Sequence, residues 1–116
     1  MDSKTIYLKR QSSDTMLDLS QKIMDDMRKE SPDAEVVVYN IEHVGEAEVL
    51  LLGFEKYYYR IKSCASVVIQ CIHVGDKQVA TVSGLGGGAG RLLMSWGANE
   101  DFANIAAEVL KAHGFH

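Results

Sequence analysis

The run Ala65-Ser66-Val67-Val68-Ile69-Gln70-Cys71-Ile72-His73-Val74, the step Gly75-Asp76-Lys77 and the return Gln78-Val79-Ala80-Thr81-Val82-Ser83 decide how this chain folds. β-branched residues dominate both arms, and such side chains suit a pleated, half-buried surface. Glycine at the step supplies a positive φ at no steric cost, so the two arms close as a tight antiparallel hairpin. Alternation along the first arm puts Val67, Ile69 and Cys71 on one face and Val68, Ile72 and Val74 on the other. Both faces are apolar. A sheet with water on one side alternates cleanly between apolar and polar residues, so this sheet calls for cover on both sides.

Upstream, residues 35–44 are rich in β-branched and aromatic types and read as a strand. Strict alternation there places Val37, Tyr39 and Ile41 on one face and Val36 and Val38 on the other. Residues 47–52 and 54–62 form one long strand or two short ones, with Gly53 as a bulge or bend. Residues 4–9 suit a short first strand. Between it and residue 35, Met16, Leu19, Ile23 and Met27 recur at helical spacing after the capping run Ser12-Ser13-Asp14, and Ser31-Pro32 ends the helix expected over 14–30. Downstream, Leu92, Met94 and Trp96 alternate with Arg91, Leu93 and Ser95, so residues 91–96 read as a strand. A second helix starts at an Asn99 N-cap, carries Phe102, Ile105, Ala106, Val109 and Leu110 on one face, and ends at Gly114.

These elements predict a single α+β domain over residues 1–116. It is a two-layer sandwich, with a mostly antiparallel sheet of four to six strands and two amphipathic helices on one face. Two helices cover one face. The second needs a partner subunit, a bound ligand or a curled sheet edge. We expect a homo-oligomer, preferably a dimer, since two-fold self-association is common.

Composition narrows the function classes. Twelve basic against sixteen acidic residues leave a net charge of −4, which argues against binding nucleic acid through positive charge. At the N-terminus, charges follow the short apolar run Ile6-Tyr7-Leu8 at once, and Val49-Leu50-Leu51-Leu52 stops at Gly53, so neither a secretory signal nor a membrane span is expected. The expected setting is cytoplasmic. Cys64 and Cys71 stand seven apart. In one regular strand they face opposite ways, about 23 Å apart, far beyond disulfide reach.

Three clusters are candidates for chemistry. Gly84-Leu85-Gly86-Gly87-Gly88-Ala89-Gly90 holds five glycines in seven residues. It matches a dinucleotide fingerprint literally, but no room remains for the βαβ unit that fingerprint needs. Its ordinary reading is a flexible connection; its functional reading is a lid over a ligand. Tyr57-Tyr58-Tyr59-Arg60 offers a stacking platform or plain strand aromatics. His43 and His73 converge if their strands are neighbours, and Cys71 shares a face with His73, which makes a Cys–His catalytic pair conceivable. No metal-ligand spacing, no cofactor motif and no nucleophile elbow is present, and Asp25-Asp26 reads as a solvated helix face.

Residues 80–110 run strand, glycine-rich turn, a short apolar segment ending in Trp96-Gly97, then the acidic helix start Asn99-Glu100-Asp101-Phe102. This order resembles an uncharacterised family of small bacterial α+β proteins of unknown function. The likeness covers the C-terminal third and reaches back toward Tyr57. It implies a similar sheet-plus-helix domain and carries over no catalytic residues.

The leading expectation is a non-enzymatic domain that self-associates through its sheet, in an interaction or regulatory role. The alternative is a small-molecule-binding protein, with the Gly84–Gly90 loop as lid and Tyr57, Tyr59, Gly86, Gly87, Gly88, Arg91 and Trp96 at the ligand. An enzyme using Cys71 and His73 is the third.

Overall fold

The computed structural model describes residues 4–59, 62–85 and 98–116. In chain order the elements are β1 (Lys4–Gln11), α1 (Met16–Glu30), β2 (Glu35–Val44), β3 (Ala47–Tyr58), β4 (Ser63–Val74), β5 (Lys77–Leu85) and α2 (Ala98–Ala112). The strand expected over 91–96 lies outside the described residues. Five strands form one antiparallel sheet in the order β1-β5-β4-β3-β2. β2 to β5 are a meander, and its first and last hairpins turn on Gly45 and Gly75, whose φ values of 58° and 60° suit two-residue loops with glycine first. β1 adds to the free side of β5, and α1 carries the chain from that edge to the opposite one.

Both helices lie on one face, α1 over β2 and β3, α2 over β1, β4 and β5. The core fills the layer between them. Leu8, Ala80, Cys71 and Leu50 form one row across four strands, and Ile69, Leu52 and Val82 form the next. Met16, Leu19, Ile23 and Met27 meet these rows from α1. From α2, the buried Ala103, Ala106 and Ala107 leave room for close approach, while Phe102 and Leu110 fill the ends. Burying such a leucine or phenylalanine contributes about 1.5–3 kcal/mol.

Three local readings change. α1 begins at Met16, capped by Thr15, whose hydroxyl accepts from the Asp18 amide. The Ser12 hydroxyl accepts from the Asp14 amide instead, and the Asp14 carboxylate is held by Arg10 and Lys22, so neither is free to cap. α2 begins at Ala98, so Asn99 stands inside its first turn. Gly53 does mark a bulge, but the extra residue is on the partner strand. Val36 pairs with Phe54 and Val38 with Gly53, so Val37 has no opposite number and strict alternation breaks there. Val36 and Val38 therefore fall in rows of opposite faces. Glycine is what admits this: a Cβ on Gly53 would stand 3.2 Å from the Val38 Cβ.

Candidate functional site

The face of the sheet away from the helices is a candidate site by composition. Its rows run Lys9–Val79–Ile72–Val49–Glu42, Tyr7–Thr81–Gln70–Leu51–Asn40 and Gln11–Lys77–Val74–Ala47–Val44. No described helix covers it. Val44, Val74 and Val79 are about half exposed or more, at 66%, 45% and 51%, and Ile72 is at 39%, values far from those of a core. Large exposed apolar patches are commoner at interaction sites than elsewhere on protein surfaces.

Tyr57 belongs to this outer face, opposite Cys64. Its ring meets that of Tyr59 edge to face, with centroids 5.0 Å apart. Tyr58 turns the other way, toward Phe102 and under the Lys56 ammonium. Gly84 and Leu85, the first two residues of the expected lid, are strand: Gly84 is buried in β5 between Lys4 and Val67. Arg60 and the other proposed contacts, Gly86, Gly87, Gly88, Arg91 and Trp96, lie outside the described residues.

The inner face ends in a polar row that crosses all five strands: Arg10, Gln78, His73, Glu48 and His43. β2 and β4 are not neighbours, yet their two histidines do converge, because Glu48 on the strand between them joins both. Its Oε2 lies 3.1 Å from His43 Nε2 and its Oε1 lies 3.2 Å from His73 Nδ1. Oε1 also accepts from the Met16 amide, a free donor at the start of α1. Burial works to raise the Glu48 pKa, but the Met16 amide, the His73 hydrogen bond and the charges of the two histidines outweigh it and hold it below the usual glutamate value. His73 Nε2 is buried without a partner among the described residues. An ionised carboxylate only accepts, so His73 Nδ1 is the donor in its bond to Glu48.

At the other end of the row Arg10 is buried. Its Nε donates to Gln78 Oε1 at 2.7 Å, its Nη1 to the His113 carbonyl at 2.6 Å and its Nη2 to Asp14, and the guanidinium stacks 4.7 Å from the Phe115 ring. Gln78 passes the link on to the Asp14 carbonyl. Sequence patterning missed this cluster, since a lone arginine in a strand reads as exposed. Asp26 is not simply solvated either: His113 Nε2 lies 2.6 Å from its carboxylate.

Cys71 sits in the core with its thiol pushed up to about 12 by burial, so it stays protonated near neutrality and is no nucleophile there. Cys64 is half-buried, and both cysteines are free. No group of His, Cys, Asp or Glu among the described residues is arranged to hold a metal ion. Among the described residues, an open groove of about 460 Å³ lies between the helices and another of about 410 Å³ beside Lys9, Lys77 and His116; neither is lined by Tyr57 or Tyr59.

Residues 6–114 match a family of unknown function, DUF6054. The chain belongs to that family. Comparison with curated proteins found no match. The DUF6054 match takes in β1 from Ile6 onward, β2 to β5 and both helices, so the outer-face rows and the inner polar row are parts of the matched region. No helix among the described residues is long and apolar enough to cross a membrane.

Proposed function

We propose that this chain is a non-enzymatic interaction domain that forms a homodimer through the outer face of its sheet, in the cytoplasm of a bacterial cell. One observation carries the reading: the face opposite the helices holds an apolar patch of Val49, Ile72, Val74 and Val79 across β3, β4 and β5, and no described element covers it. Its size is sufficient. Five strands span about 24 Å, and eight paired residues along β1 span about 27 Å. That footprint is of the order of the ~800 Å² per partner of a standard interface.

Ile72, on the middle strand and flanked by Val79 and Val49, is the residue to change. Ile72→Asp puts a charge in the centre of the apolar patch, where a partner would have to desolvate it. The substitution leaves the core untouched, because Ile72 points away from the helices. Native mass spectrometry is expected to show a dimer for the wild-type chain and a monomer for Ile72→Asp, with matching circular dichroism. A variant that dimerises as tightly as the wild type contradicts the reading.

A further inference from the structure

Charge on the outer face is divided between the two halves of the sheet. Lys9 on β1 and Lys77 on β5 stand on one side of β4, and Glu42 on β2 with Glu35 and Glu55 stand on the other. In the row Lys9–Val79–Ile72–Val49–Glu42 the order is basic, three apolar, acidic, with Ile72 at the centre. Such a row is complementary to its own reversal.

Resting on the self-association reading, we infer that the two copies stack face to face about a two-fold axis running along β4, with Lys9 of each copy against Glu42 of the other. A rotation about that axis lays β1 of one copy over β2 of its partner, because β4 is the middle strand of five. Val79 then faces Val49, and Ile72, Val68 and Val74 each meet their own counterparts near the axis. Gln70, in the same strand, meets a second Gln70, and an amide pairs with an amide as donor and acceptor. The competing two-fold axis, across the strands, lays β1 on β1 and β2 on β2, basic edge on basic edge and acidic on acidic, a destabilising arrangement. Stacked sheets lie about 10 Å apart, a gap that a lysine and a glutamate bridge from opposite sides. Aligned sheets cross at about 30°, so the axis lies within about 15° of β4.

A charge-reversal cycle tests the axis. Lys9→Glu and Glu42→Lys each place like charges at both symmetry-related contacts, and each is expected to weaken the dimer about tenfold in Kd at low salt. The double variant restores both contacts in reversed sense and is expected to return to within about threefold of the wild type. Mixing the two single variants is expected to give the heterodimer in preference to either homodimer, which also shows that both variants are folded. Single variants that dimerise like the wild type, or a double variant no tighter than the singles, overturn the axis and leave self-association standing. A monomeric wild-type chain overturns both.

Discussion

Glu48 holds three groups at once: the first amide of α1 and the rings of His43 and His73. Its carboxyl is held below the usual glutamate value in the folded chain, so on acidification the unfolded chain takes up this proton first. The stabilisation it gives is complete above its unfolded value and is lost as pH falls through the lower folded value. Glu48→Gln keeps the shape and one acceptor oxygen but removes the charge. We expect it to cost about 1 kcal/mol near pH 6, a typical value for a charge-assisted hydrogen bond in a partly exposed site. In urea unfolding the gap between wild type and variant should narrow as pH falls through the folded-state value of Glu48. A gap that does not change with pH would assign the loss to packing rather than to the carboxylate. The histidine convergence was half legible in the sequence. Face parity followed from alternation, but Glu48 as the link required knowing that β3 lies between β2 and β4.

At the scale of elements, the C-terminus of α2 is a Schellman motif. The Phe115 amide bonds the Leu110 carbonyl, the Gly114 amide bonds that of Lys111, and Phe115 packs back into the core. Gly114 has a φ of 96°, which a side chain adopts only with strain. Gly114→Ala is therefore expected to lower stability by about 1–2 kcal/mol, a drop of some ~4–8 °C in Tm. An unchanged Tm would mean that the cap contributes nothing. The motif also places His116, which exchanges two backbone hydrogen bonds with Lys9 and covers part of the β1 edge. Sequence marked Gly114 because glycine after a helical apolar stripe has a definite meaning. It did not mark Arg10 as the tie between β1, β5 and the end of α2, because that role depends on strand order. Nor did it place the bulge on β2, since Gly53 signals only that some backbone comes close. The five strands and both helices were legible because hairpin glycines and two clear periodicities punctuate the chain.

For the whole molecule the decisive property is asymmetry between layers. One face of the sheet is closed by two helices over a continuous core, and the other carries an apolar centre with oppositely charged edges. The two apolar faces were legible from residues 67–74 alone. The division of charge was not, because Lys9 and Glu42 lie far apart in sequence and share a row only once all five strands are in register. The account rests on what that second face does in solution. Sedimentation equilibrium of the wild-type chain, from about 1 to 100 μM at low salt, measures it directly, in a range where an interface of this size is saturable. The account predicts a mass approaching twice the 12.8 kDa of one chain as concentration rises. A single-chain mass at every concentration would contradict it.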